Sequence, residues 1–160
     1  MKQKAIICDI DGCLLDTSRI YNEANEREIF GAEFFNFFDR RANNPKYAIK
    51  NSAMFDLVNF FKSEGYVIII LTARTIKIQS ETYHYLTEGY KALPKDIVMV
   101  SRLISDYGLP DYMVKESKLD SLRKDYDIRL AIDDNLENIK MFNRNNISTI
   151  GVDNESNFIK

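Results

Sequence analysis

The chain has 160 residues, 45% of them hydrophobic and 12% aromatic, which suits one domain around a substantial core. Its 22 basic and 24 acidic residues leave a net charge of −2, which excludes an extended basic surface that coats nucleic acid; any such contact is local, as at a chain end. Two cysteines, no signal peptide and no apolar run of membrane length exclude a disulfide framework and a spanning segment, so the expectation is a soluble cytoplasmic protein with no membrane partner.

In chain order, the first predicted element is a strand over Ala5–Cys8, followed at once by "DIDGCLLD". Residues 17–50 read as short helices carrying the aromatic run "FGAEFFNFF". That run is either a small cap beside the site or part of the core, and burial preferences favour the core. Residues 52–64 place Met54, Leu57, Val58 and Phe61 at helical spacing, with Gly65 as a C-terminal cap. The strand "VIIIL" (67–71) follows, ending in Thr72, Ala73 and Arg74. A helix over 76–88 closes at Gly89 and carries His84, the only histidine, which has no ligand partner in its pattern and reads as structural. A weaker strand spans 97–100, a helix 112–124, and the strand "LAI" (130–132) ends in Asp133 and Asp134. A helix over 135–145 and a strand over 147–152 complete the chain. The apolar runs are continuous rather than alternating, as for strands buried on both faces, and strands that alternate with helices imply a parallel sheet with right-handed crossovers.

Ligands of such sheets bind beyond the carboxyl ends of the strands. Asp9, Asp11, Thr72, Asp133 and Asp134 all fall there, and "DYMVKESK" brings Lys115 and Lys118 near them. At ~5 Å and an effective dielectric of about 20, each carboxylate pair repels by roughly 3 kcal/mol. A domain stable by about 5–15 kcal/mol does not hold several such pairs without a cation. Oxygen donors with no histidine or cysteine nearby select a hard ion, Mg2+ before Zn2+. Residues i and i+2 of a strand point the same way, so Asp9 and Asp11 face one ligand. One can attack phosphorus while the other, protonated, serves the leaving oxygen. Gly12 permits a sharp turn whose N–H groups can meet phosphate oxygens. Asp16 reads as a turn or cap residue and Lys118 as a solvated helix position.

Asp9-Ile10-Asp11-Gly12 with Leu14, then Thr72, a lysine and Asp133-Asp134, in that order, resemble the four motifs of the haloacid dehalogenase superfamily and span nearly the whole chain. The resemblance implies a Rossmann-like, three-layer α/β/α fold with a central parallel sheet and at most a small cap insert at 17–50, all within one domain over 1–160. It implies Asp9 as a nucleophile that forms an aspartyl-phosphate and Asp11 as general acid/base. Mg2+ would be held by Asp9, the Asp11 backbone carbonyl and Asp133, with Asp134 orienting metal-bound water or the lysine. The second aspartate, Asp11, is what the superfamily's phosphatases keep and its dehalogenases lack. Cys13 stands where the family usually carries threonine, which removes one hydroxyl beside the loop.

Residues 97–134 carry a narrower likeness. Arg102, the Asp-x-x-Val-Lys segment ending in Lys115, Tyr-Asp-Ile and Ala-Ile-Asp-Asp are similar to the 3'-phosphatase domains of phage polynucleotide kinases. That likeness selects Lys115 rather than Lys118 as the motif lysine and points to Arg74 and Arg102, with Gly12 and Ala73, as phosphate or substrate contacts. No G-x-x-x-x-G-K-[ST] occurs, so no kinase half is expected. The implied substrate is a phosphorylated nucleotide or nucleic-acid end bearing a 3'-phosphate. The alternatives are a nucleoside 5'-monophosphate, a small sugar phosphate, or, in another class, a phospho-receiver-like signalling or binding module. The receiver reading is weakened by order, since its phosphorylated aspartate precedes the Thr and Lys whereas the second acidic pair here comes last.

Overall fold

The computed structural model describes residues 1–153; the expected domain limit at 160 lies outside the described residues. The elements run β1 (Gln3–Cys8), β2 (Leu15–Asp16), α1 (Ser18–Glu26), α2 (Gly31–Asp39), β3 (Ile49–Lys50), α3 (Ser52–Ser63), β4 (Val67–Thr75), α4 (Gln79–Thr87), β5 (Val98–Arg102), α5 (Asp111–Asp125), β6 (Tyr126–Asp133), α6 (Leu136–Arg144) and β7 (Ser148–Gly151). Five strands pair in parallel in the order β5-β4-β1-β6-β7. This is the expected Rossmann-like sheet between two helical layers.

The pleat decides the layers. Alternate residues of a strand face opposite sides. Ile6, Cys8, Ile68 and Ile70 therefore pack beneath Phe55 and Val58 of α3 and Leu86 of α4. Ala5, Ile7, Ile69 and Leu71 pack against Leu119 and Leu122 of α5 and Met141 and Phe142 of α6. Both faces of β1 and β4 are covered, which is why their sequences are unbroken apolar runs. Each fully buried side chain of this size contributes about 1.5–3 kcal/mol of hydrophobic stabilisation.

Four strands exceed their expected limits: β1 begins at Gln3 and β5 ends at Arg102, and the longer extensions are in β6 and β4. β6 starts at Tyr126, where Tyr126 and Asp127 pair with Gln3 and Lys4 at the polar rim of the sheet and so carry no apolar signal. β4 continues to Thr75, but its pairing with β5 shifts between Leu71 and Thr75, so Thr72, Ala73 and Arg74 lie in a bulge. A bulge re-aims side chains at a strand end. The expected 76–88 helix divides into a short 3-10 turn, Ile76–Ile78, and α4. His84 is exposed on α4, with Nδ1 3.1 Å from Glu88 Oε1.

The short strands β2 and β3 pair antiparallel at the two ends of the 17–50 segment. Ile20, Ala24, Phe37, Phe38 and Ala42 make their own apolar cluster, with Phe34 against it. Of the aromatic run, Phe34, Phe37 and Phe38 thus pack with α1 rather than into either face of the sheet, while Phe35 stacks on Tyr107 and Phe30 is exposed. The segment joins β4 through Thr75 Oγ1, which donates to Asp39 Oδ2 at 2.9 Å. Among the described residues, no helix is long and apolar enough to cross a membrane.

Candidate active site

Chain order reverses beside β1: β4 and β5 build outward on one side, then β6 and β7 on the other. The crevice between β1 and β6 is the switch point where such sheets bind ligands. Cys8 pairs with Ile132 there, and Asp9 N–H donates to Ile132 O at 3.0 Å. Asp9 and Asp133 consequently leave the sheet side by side.

Lys115 reaches them from α5. Its Nζ lies 3.0 Å from Asp9 Oδ1 and 2.6 Å from Asp133 Oδ2, and the side chain is 1% exposed. Burial opposes the ammonium charge, but Asp9 and Asp133 outweigh it and hold Lys115 protonated, its pKa raised. The Asp9 carboxyl is pushed well up by burial; Lys115 opposes this, while Asp133, Asp134 and Asp11 add to it. One ammonium divided between two carboxylates leaves this pocket short of positive charge. Asp133 is also held by its neighbours: Asn135 N–H and Asn138 Nδ2 donate to Oδ1 at 2.9 and 3.0 Å. Asn135 also caps α6, accepting from Glu137 N–H at 2.9 Å.

Asp11 points to a different cation. Arg74 grips both of its oxygens, Nη2 to Oδ1 at 2.7 Å and Nε to Oδ2 at 3.0 Å. Thr72 Oγ1 accepts from Arg74 N–H at 3.0 Å; the side chain is buried at the end of β4 and does not itself line the cleft. Gly12 adopts φ +82, and its N–H donates to Leu15 O while Cys13 N–H donates to Ile10 O. Those two amides are thus committed to the turn, so Gly12 contributes shape and close approach.

Asp9, Asp11, Gly12, Ala73, Arg74 and Asp134 line a cleft of about 600 Å³. Lys115 and Asp133 stand behind Asp9. The opposite wall comes from the 17–50 segment: Tyr21, Phe34, Phe35 and Phe38. Asp16, Asp39 and Asp111 also border the cleft. Arg102 does not line it. That side chain is buried, with Nε on Ala73 O at 3.2 Å, Nη1 on the carbonyls of Asp106 and Leu109, and Nη2 2.6 Å from Asp111. It holds the loop below Ala73 in place. Lys118 likewise turns away from Asp9 and pairs with Asp106 at 2.9 Å. Asp16 accepts from Ser18 N–H at 2.9 Å, the turn role its sequence context predicts.

Two side chains at the site carry no motif signal. Asn138 is buried, donates to Asp133, and its Oδ1 has no hydrogen-bond partner. Its only mark in the sequence is its place three residues after the cap residue Asn135, one turn into α6. Asn43, in the loop after α2, accepts from Arg74 Nη1 at 2.8 Å. Nothing in the local sequence marks it.

A model of the haloacid dehalogenase (HAD) superfamily, subfamily IIIB (acid phosphatase), matches residues 1–159. Solved structures share the fold. A chain of the Pnkp1/Rnl/Hen1 RNA repair complex aligns with TM-score 0.72 and 21% identity over 94% of this chain and 42% of that one. The class C acid phosphatase of Bacillus anthracis with tungstate bound aligns with TM-score 0.66 and 17% identity, covering 96% of this chain and 68% of that one. A HAD family enzyme of Bacteroides thetaiotaomicron, in complex with magnesium and inorganic phosphate, aligns with TM-score 0.56 and 18% identity over 93% of each chain. The chain thus spans less than half the length of its RNA-repair counterpart. No curated protein sequence matches it.

Proposed function

The chain belongs to the HAD superfamily, in the acid phosphatase subfamily IIIB, a group of phosphoric monoester hydrolases, and from that premise we propose that it is a Mg2+-dependent phosphatase that removes 3'-phosphates from nucleic-acid ends or nucleotides through an aspartyl-phosphate. The observation that carries the reading is the pairing at the cleft floor: Asp9, backed by Lys115, beside Asp11 gripped by Arg74.

In this reading Asp9 attacks phosphorus, the ester P–O bond breaks, and the leaving alkoxide takes a proton from Asp11. Water then attacks the acyl phosphate, gives its proton to the Asp11 carboxylate, and inorganic phosphate leaves with Asp9 restored. The Thr72 hydroxyl donates to a phosphate oxygen, and Lys115 offsets the charge of Asp9 and phosphate in a site with little water. To act as the acid, Asp11 gives up one of its two contacts with Arg74, so that the oxygen carrying the proton turns to the leaving group while the other still accepts from the guanidinium.

The residues fit a hard divalent cation. Asp9 and Asp134 place ligand oxygens within 4.8 Å of one another and of Cys13 Sγ, so a cysteine does stand beside the site, against the sequence expectation; burial pushes its thiol up, which keeps it protonated and leaves the oxygens as the donors. Asn138 Oδ1 is a buried oxygen without a partner beside Asp133. Asp9, Asp133, Asp134 and the Asp11 carbonyl are the proposed holders. When bound, Mg2+ supplies the positive charge that lets phosphate enter among these carboxylates. The Bacteroides relative with magnesium and phosphate supports the choice of ion.

The aromatic wall from 17–50, read as a small cap, supports a substrate with a base to stack. The RNA-repair relative supports a nucleic-acid end. The acids at the cleft border, Asp16, Asp39 and Asp111, favour a free nucleotide over a long polyanion, and that is the second reading. Side-by-side turnover of a 3'-phosphorylated oligonucleotide, a 3'-nucleotide, a 5'-nucleotide and a small sugar phosphate tests both. The 3'-phosphates are expected to be preferred, and a 5'-nucleotide or sugar phosphate turned over best would overturn the 3' assignment. Activity is expected to vanish in chelator and return with Mg2+. Full activity in chelator sinks the metal scheme.

A further inference from the structure

Arg74 is 3% exposed, and its guanidinium is fully engaged on both edges. Nε and Nη2 hold the two oxygens of Asp11, while Nη1 donates to Asn43 Oδ1 at 2.8 Å and Thr82 Oγ1 at 3.3 Å. The group is planar and its donors are fixed relative to one another. Whatever anchors Nη1 therefore sets the direction in which the Nε/Nη2 edge presents itself to Asp11. The stronger anchor, by distance, is Asn43, which belongs to the 17–50 segment and not to the sheet. Phe38 of the same segment lies over the guanidinium, 5.6 Å from ring centroid to Cζ. The Thr75–Asp39 bond ties that segment to the same strand end.

We propose that Asn43 is a positioning residue that orients Asp11 through Arg74, so that the insert rather than the sheet aims the group that moves the proton. The inference rests on Asp11 acting as general acid/base. A proton-transfer group works only within hydrogen-bond reach of the atom it serves, so a small rotation of Arg74 displaces it from the leaving oxygen.

The measurement is kcat/KM, which reports through phosphoryl transfer, on two esters. A 3'-nucleotide leaves as an alkoxide and needs a proton, whereas p-nitrophenyl phosphate leaves as a stabilised phenolate and needs little help. Asn43→Leu is expected to lose about tenfold to hundredfold on the 3'-nucleotide, a part of the ~10²–10⁴ that acid–base help supplies, and much less on the nitrophenyl ester. Asn43→Asp, which keeps the acceptor oxygen, is expected to retain most of the alkyl-ester rate. In an Asp11→Asn background Asn43→Leu is expected to add no further loss, since both changes act through one carboxyl. Equal losses on the two esters, or an undiminished further loss in the Asp11→Asn background, overturn the inference while leaving the phosphatase reading in place. A wild-type protein inert to both esters with Mg2+ present overturns that reading, and this inference with it.

Discussion

Asp9→Asn is expected to abolish turnover of every phosphate ester, by at least about four powers of ten, or ~5 kcal/mol and more of lost transition-state stabilisation. The carboxylate is the attacking group, and an amide nitrogen or carbonyl oxygen does not displace an alkoxide from phosphorus. Asp9 sits 7% exposed at the floor of the cleft, 3.0 Å from Lys115. The change keeps the shape of the side chain and removes a charge that burial disfavours, since the Asp9 carboxyl is pushed up. The sign for stability follows. A carboxyl raised in the folded state destabilises that state once pH exceeds the unfolded value, so the neutral amide is expected to melt no lower than the parent without divalent cation. Rates are measured with excess enzyme as well as in steady state, so that a slow nucleophilic step cannot hide. Wild-type rates in a folded Asp9→Asn protein would refute the nucleophile assignment.

The second large effect separates two lysines that share a helix. Lys115→Ala is expected to lose about two to four powers of ten in kcat/KM, the rate equivalent of roughly 3–5 kcal/mol. Those energies are what removal of one partner from a buried ion pair costs. The structure gives the reason: Lys115 is 1% exposed and its ammonium bridges Asp9 and Asp133, which are left facing each other when it goes. The same variant is expected to melt lower than wild type, with part of the loss recovered by Mg2+, because a cation then meets the uncompensated carboxylates. Lys118→Ala is expected to stay within a few-fold in activity. Its partner is Asp106, which also accepts from Leu103 N–H at 2.9 Å, so this pair holds a loop and not the cleft floor. Lys118→Ala dead and Lys115→Ala active would reverse the assignment of the motif lysine.

Much of this architecture was legible before any coordinates. The strands β1 and β4 announce themselves because burial on both faces demands unbroken apolar runs. The i, i+2 spacing of Asp9 and Asp11 and their place at a strand end are local properties, and local spacing fixes side-chain direction. The aspartates at the end of β6 follow by the same logic. From these alone the sequence determined a parallel sheet, its site-bearing edge and an acidic cluster that calls for a cation.

Partners distant in sequence were decided only by the tertiary structure. Arg74 meets Asp11 across 63 positions and Asn43 across 31, and Lys115 meets Asp133 across 18. Such pairings depend on strand order, on the shifted register that places Thr72–Arg74 in a bulge, and on where residues 17–50 pack. Two arginines from neighbouring strand ends look alike in sequence, yet Arg74 lines the cleft and grips Asp11 by both oxygens, whereas Arg102 lies outside it, held by the carbonyls of Ala73, Asp106 and Leu109 and by Asp111 at the cleft border. Residue type and spacing announce which groups carry charge. Only the fold brings each buried charge to the partner that must compensate it, because in the interior that partner is chosen by a few ångströms and not by sequence distance.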